Sequence, residues 1–347
     1  MMSCTMRGRQ LLRTLQQLPE PASSNTANQC LTRLTKNHSS LATAETTQPP
    51  VPETSKVPAA ALNPFELGSK RADFKKTEAT RPKFQALDPV TVSQVPDPSW
   101  RYGKGVNNTA GQSYNHILID PYSPDRSMID NYKLLISGIP RPISFVSTVS
   151  KDGAPNLSPF SYFQVVDHDP PIFVIGFSAR ATRPKDTRQN LLETGECVIN
   201  VVSEHMVEAV NATSLDVPLG TSEWNLSGLQ SAPSETVKPE RVLDAIFSIE
   251  GKLLEMKELD YGGSHRAEGK PSGALAVIQA KRFWIREDAL VGGNIDLEVM
   301  RPLVQLGGIS YGRVRETFEL PRPKLKEELE DASNGLKGIL EKQAKIT

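Results

Sequence analysis

From Ile139 onward the chain alternates short apolar runs with turn residues. The runs ISFVSTVS, SYFQVV and PIFVIGF follow one another closely and predict three strands, the spacing of a barrel or sandwich. DTRQNLLETG predicts a helix, with Asp186 or Thr187 able to cap its start and Gly195 able to end it. CVINVV predicts a strand, and EHMVEAVNATS a second helix with Met206, Val207 and Val210 on one side. Residues 213–240 are turn-rich, with Trp224 and Leu226 as apolar anchors. DAIFSIEGKLLEM and ALAVIQAKRFWI predict two long strands, and SYGRVRETFEL a last extended element.

Within this pattern residues 141–166 stand out. Two strands flank Asp152-Gly153, a dipeptide suited to a tight hairpin turn in which both central residues have positive φ. On the first strand Ile143, Phe145, Ser147 and Val149 share one face, and Ser144, Val146, Thr148 and Ser150 the other. The density of hydroxyls, with Ser158 and Ser161 on the second strand, points to a surface that hydrogen-bonds a ligand or to a solvated sheet face.

The flanks read differently. Residues 1–44 carry five basic residues (Arg7, Arg9, Arg13, Arg33 and Lys36) against one acid, Glu20, with leucines at helical spacing, the composition of a mitochondrial transit peptide or of a disordered basic leader, cytoplasmic in the latter case. In residues 45–112 repeated prolines interrupt any periodicity, which predicts a linker. The folded domain is expected over 113–321, and residues 322–347 predict a charged helix interrupted at Gly335.

Composition narrows the function classes. Forty basic and forty acidic residues give zero net charge, which removes a global electrostatic case for nucleic acid or an anionic membrane. No apolar run approaches the roughly 20 residues of a membrane span. Three cysteines without a CxxC pair argue against a disulfide framework or a cysteine zinc site, and Cys197 reads as a buried small hydrophobe. The five histidines show no metal-binding spacing; His168 is the one set among carboxylates, and no G-x-S-x-G supports serine hydrolysis.

Two further stretches could carry chemistry. Arg183-Pro184-Lys185-Asp186-Thr187-Arg188 opens the first predicted helix, where unpaired N–H groups, the positive dipole end and flanking cations suit a phosphate; a capped helix with a solvated basic edge is the alternative. Gly307-Gly308 lets the backbone pass close to a ligand, and Tyr311 beyond it could lie over a planar ring or close a barrel.

Taken in order, RPISFVSTVSKDGAPNLSPFSYFQVV, PPIFVIGF, RPKDTRQNLLETGECVINVV, SEWNLSGLQSAPS, VKPERV and LGGISYGR resemble the flavin reductase-like family of FMN-binding split barrels, over about residues 130–320. The resemblance implies a mainly β (α+β) fold, an antiparallel six-stranded split barrel with a few flanking helices, dimerising with FMN near the dimer interface. It places Ser147, Thr148 and Val149 at the isoalloxazine edge. The segment from Ser158 through Ser161, Tyr162 and Phe163 would follow the ring and ribityl chain, and Lys185, Asp186 and Thr187 would hold the phosphate. Arg141 would add charge near the phosphate or across the dimer, and Tyr311 would lie near the ring, a looser match because many members carry a histidine-containing stretch there.

The implied activity is oxidoreduction through bound FMN, with FAD as the alternative, NAD(P)H as co-substrate and a small molecule as acceptor. The chemistry then belongs to the cofactor and needs no dedicated acid–base residue. The other classes compatible with these residues are a flavin carrier or sensor without turnover, and a split-barrel interaction module.

Overall fold

A computed structural model describes residues 73–86, 89–107, 114–179, 183–215, 217, 221–260 and 272–344. The leader, residues 1–44, lies outside them. In chain order the strands are β1 (Thr91–Ser93), β2 (Arg141–Pro142), β3 (Ser144–Val149), β4 (Pro155–Phe160), β5 (Phe163–His168), β6 (Pro171–Phe177) and β7 (Glu196–Val201). They continue with β8 (Ser231–Ala232), β9 (Arg241–Val242), β10 (Phe247–Leu259), β11 (Gly273–Ile285), β12 (Leu290–Val291), β13 (Asn294–Ile295), β14 (Leu303–Leu306), β15 (Ser310–Arg313) and β16 (Glu316–Phe318). The helices that matter below are α1 (Phe74–Ala79), α2 (Met128–Gly138), α3 (Asp186–Thr194), α4 (Val207–Ala212) and α5 (Glu223–Ser227).

Seven strands form the main sheet in the order β4-β3-β7-β10-β11-β6-β5, every neighbouring pair antiparallel. The two edges, β4 and β5, are separated in sequence only by Ser161 and Tyr162. The sheet must therefore curl until its edges nearly meet, yet no ladder joins them: it is a barrel split along one seam. The strand count is seven where six were expected, because SYFQVV supplies β5 as an edge of its own beyond the hairpin.

The β3–β4 hairpin forms, but with a looser turn than Asp-Gly suggests. Gly153 alone takes positive φ (85°), and Ser150 N–H bonds Ala154 O at 2.9 Å while Gly153 N–H bonds Ser150 O at 2.9 Å. This is a turn closed by one left-handed glycine. The two faces of β3 separate as the alternation predicts, but neither is solvated. Val146 packs into the barrel interior with Phe160, Phe173, Ile175, Leu191, Cys197 and Ile278, whereas Ile143 and Phe145 join a second core with Leu157, Val202, Met206 and Val210. Burial pushes the Cys197 thiol up to about 12, so it is an inert core residue.

For α3 the expected start changes and the expected end holds. Its N-cap is Lys185, without a side-chain cap bond, so neither Asp186 nor Thr187 caps it; Gly195 ends it in the left-handed region at φ 69°. Helix α2 went unrecognised in the sequence, although Ser127 caps it by accepting the Asp130 N–H at 3.2 Å.

Part of the expected linker has structure. β1 pairs in parallel with β16, and the guanidinium of Arg313 lies 4.1 Å from the Phe84 ring centroid. Arg313 and Arg315 also donate to the carbonyls of Gln85 (2.6 Å) and Ala86 (3.1 Å), while a single buried carboxylate, Glu204, pairs with both arginines. A backbone ladder at β1 and side-chain donors at residues 84–86, rather than apolar burial, thus hold this segment. After a one-turn helix α6 (Leu297–Met300), the C-terminal stretch forms two short helices, α7 (Leu325–Glu330) and α8 (Leu336–Gln343), divided at Gly335. None of the described helices is long and apolar enough to cross a membrane.

Candidate functional site

The seam of the barrel opens into a groove of about 260 Å³. Tyr132 and Ile136 of α2, Arg141 of β2, Pro159 to Tyr162 at the end of β4, Gly176 to Ser178 at the end of β6, and Lys185 line it. The geometry follows from the topology: β4 and β6 both end at the seam, and α2 closes it from outside.

Arg141 organises the wall. It is almost fully buried, and its guanidinium donates to Ile136 O (2.7 Å), Ile139 O (3.0 Å), Gly307 O (3.1 Å) and Ser161 Oγ (3.2 Å). No carboxylate among the described residues pairs with it. A buried cation satisfied by carbonyls and a hydroxyl keeps its charge uncompensated, which suits an anionic ligand. Because Ser161 accepts from Arg141, its own proton remains to be donated.

Opposite, the Gly176 N–H bonds Tyr162 O at 2.6 Å, and a Cβ at position 176 would stand 3.0 Å from the Tyr162 Cβ. The wall is tight enough there that even a methyl group at position 176 would need Tyr162 to give by a few tenths of an ångström. Burial, then the neighbouring Tyr132, raises the Tyr162 phenol above its ordinary range, so it stays a protonated donor.

Lys185 is shared with a second, smaller hollow of about 20 Å³, lined also by Asn156, Ser158, Arg183, Asp186, Thr187 and Glu223. The first N–H groups of α3 lie here without a capping side chain from Lys185. Asp186 pairs with Arg183, and the Thr187 hydroxyl accepts from Asn156 Nδ2 at 2.9 Å. Glu223 accepts the Leu157 N–H at 3.2 Å on the open edge of β4; burial raises its carboxyl above the usual range.

The residues singled out in the sequence divide into three groups. Arg141, Ser161, Tyr162 and Lys185 meet in the groove, and Ser158, Lys185, Asp186 and Thr187 in the smaller hollow. The others line neither. Ser147 donates to Glu240 O at 2.5 Å, and Thr148 accepts from Asn156 and Asn190, each at 3.0 Å, so both hydroxyls are engaged inside the protein. Val149 is half-buried at the hairpin end. Phe163 stacks on Phe173, ring centroids 5.9 Å apart, and faces the core. Tyr311 sits on β15 with its hydroxyl 3.4 Å from Asn211 Oδ1.

Of the basic run, Arg188 turns away to pair with Glu258 and donate to Ser272 O at 2.9 Å. His168 is exposed on the edge strand β5.

Sequence reasoning missed Tyr132, Ile136, Gly176, Asn156 and Glu223. A glycine inside the run PIFVIGF is a usable signal of close backbone approach. The Ser127-x-x-Asp130 start signalled α2. Nothing local marks Asn156 or Glu223, which owe their positions to strand pairing.

Residues 136–291 match the flavin reductase like domain. An uncharacterized protein of Halalkalibacterium halodurans, BH2278, is 36% identical over 211 residues, covering 60% of this chain and 99% of that protein. Nitrilotriacetate monooxygenase component B from Bacillus cereus is similar in structure, with a TM-score of 0.56 and 34% identity over 60% of this chain and 100% of that one. The 2-nitrobenzoate 2-nitroreductase NbaA of Pseudomonas fluorescens gives a TM-score of 0.51 and 25% identity over 61% and 98%.

These relatives overturn the mitochondrial reading of residues 1–44. They are bacterial and archaeal proteins, from organisms without mitochondria, and a basic, acid-poor, leucine-containing stretch is not by composition alone an organelle address. The chain belongs to the flavin reductase-like family.

Proposed function

We propose that this protein is an FMN-binding oxidoreductase that takes electrons from NADH or NADPH and passes them to free flavin or another small acceptor. Family membership supports the reading, and so do the names of two similar structures, a monooxygenase component and a nitroreductase. The observation that carries it is Arg141, a buried guanidinium without an acid partner among the described residues, in the wall of a groove that ends at Lys185 and the start of α3. That donor set fits a flavin mononucleotide, which is anionic at its phosphate and gains negative charge on its ring upon reduction.

When bound, the flavin supplies the hydride chemistry. The chain's own residues then bind and orient. Lys185, the first N–H groups of α3 and Thr187 hold the phosphate. Arg141 and the Ser161 hydroxyl supply positive charge and a donor in the groove, pre-set by bonds to backbone carbonyls so that little reorganisation is needed. Gly176 keeps the wall thin, and Tyr162 and Tyr132 flank the opening.

A homodimer belongs to the same reading. Ile117 and Leu118 before α2 and Val165 and Val166 on β5 are exposed apolar residues that a second copy would cover.

The test is direct. Purified protein is expected to carry yellow, bound FMN and to oxidise NADH or NADPH. Colourless protein that gains no thermal stability with FMN would sink the proposal, and bound FMN that neither nicotinamide reduces would leave a flavin carrier. Light scattering checks the dimer.

A further inference from the structure

Asn156 reaches the smaller hollow from the barrel side. It sits on β4 opposite Thr148 across the β3–β4 ladder and is nearly fully buried. Its Nδ2 donates to two hydroxyls, Thr148 Oγ at 3.0 Å and Thr187 Oγ at 2.9 Å. Asn190, one turn along α3 from Thr187, donates to Thr148 Oγ at 3.0 Å. One side-chain amide thus bridges the hairpin to the first turn of α3.

The bridge has a polarity. A hydroxyl that accepts an amide N–H must send its own proton elsewhere. No acceptor among the described residues receives the Thr187 proton, and Thr187 lines the hollow beside Lys185. Acceptors are already present on that wall, since Glu223 lies there with its carboxylate on the Leu157 N–H. Thr187 therefore adds a donor to the hollow.

We propose that Asn156 is a positioning residue that fixes the Thr187 hydroxyl as an outward donor, and so sets the preference of the hollow for a phosphate ester over a neutral hydroxyl terminus, FMN over riboflavin. This rests on the reading that the phosphate sits at Lys185–Thr187, and a double-mutant cycle separates the two claims.

The readout is the ratio of riboflavin to FMN dissociation constants, from quenching of flavin fluorescence. Thr187→Val is expected to lower the ratio about tenfold, the worth of one good hydrogen bond to a charged group. Asn156→Ala should lower it about threefold to tenfold, with riboflavin affinity nearly unchanged, because the hydroxyl is then free to rotate. In the Thr187→Val background Asn156→Ala should have no further effect. Asn190→Ala, which touches Thr148 but not Thr187, should leave the ratio alone. If Asn156→Ala does not fold, Asn156→Ser enters the same cycle.

An unchanged ratio in Asn156→Ala beside a lowered one in Thr187→Val overturns the role of Asn156. So does an additive double mutant, or an Asn190→Ala variant that lowers the ratio equally. An unchanged ratio in Thr187→Val overturns the phosphate placement itself.

Discussion

Two buried glutamates show how differently the two sides of the barrel are built. Glu250, on β10, is fully buried and accepts from Glu235 N–H (2.7 Å), Thr236 N–H (2.6 Å), the Thr236 hydroxyl (2.5 Å) and the Trp284 indole (2.7 Å). Burial pushes its carboxyl up, but these four donors outweigh it and hold the group below the usual range. Glu223 is nearly as buried, yet the bonds that favour its charged form do not offset burial, and its carboxyl is raised. The first carboxylate closes a polar network and holds structure. The second faces a hollow in which the Thr187 hydroxyl proton has no acceptor among the described residues. A carboxylate whose donors outweigh burial belongs to the scaffold, and one whose donors do not lies beside the hollow.

The sharpest break of this comparison is Glu250→Ala. It removes the charged acceptor of two part-buried backbone N–H groups and of the indole N–H, bonds worth about 1.5–3 kcal/mol each. Urea unfolding should show a loss of at least about 3 kcal/mol, with little change in flavin affinity beyond that caused by unfolding. A loss near zero would mean that the network is replaceable by water.

Two tight glycines, Gly251 and Gly176, make the same contrast at smaller scale. At Gly251 a Cβ would meet Ile278 Cγ2 at 2.4 Å, deep in the barrel, so Gly251→Ala should cost about 1–3 kcal/mol of stability by overpacking. At Gly176 the contact is with Tyr162 Cβ at 3.0 Å, in the wall of the groove. Gly176→Ala should cost ~1 kcal/mol in unfolding, because the 3.0 Å contact needs the Tyr162 backbone to give by only a few tenths of an ångström, while flavin affinity falls more than stability does. Equal effects of the two substitutions on both readouts would erase the distinction between scaffold and site.

Much of this architecture was legible in the residues. The strands from β3 to β7, and the long pair β10–β11, follow from apolar runs bounded by turn residues, and Gly195 marks the end of α3 as expected. The candidate site was legible only where local sequence sets it. The start of α3 announces itself by charge and by its place after a loop, whereas the hairpin hydroxyls of Ser147 and Thr148 did not reveal their direction. Which way a strand hydroxyl points depends on what packs behind it, here Glu240 O, Asn156 and Asn190, brought from distant parts of the chain. Arg141's carbonyl cradle was hidden in part by the same long range, through Gly307 in the turn after β14, and in part because α2, which ends beside it and supplies Ile136 O, went unrecognised. Arg188 misled for a related reason: it lies in the basic run but on a face of α3 turned to the β10–β11 pair, where Glu258 takes its charge. The Ser272 hydroxyl, then Arg188, hold Glu258 below the ordinary range.

The smallest effect, and the finest test of the contrast, is the pH dependence of stability. A carboxyl raised by folding makes the folded state hold its proton more tightly than the unfolded state does. The stability it contributes is fully present below the ordinary glutamate range and is lost as pH rises through the raised value. Glu250 has the opposite sign: its contribution is present above the ordinary range and lost as pH falls through the lowered value. Glu223→Gln keeps an acceptor for the Leu157 N–H but cannot ionise. Relative to the native chain it should be more stable at neutral pH, by ~1 kcal/mol as for the exchange of one hydrogen-bond acceptor, and the advantage should vanish in acid. Chemical unfolding of both proteins at a series of pH values measures this. If the advantage at neutral pH is absent, the charge on Glu223 is compensated by Lys185, which lies in the same hollow. The two sides of the barrel would then be electrostatically alike, and the hollow would have less positive potential to offer a phosphate.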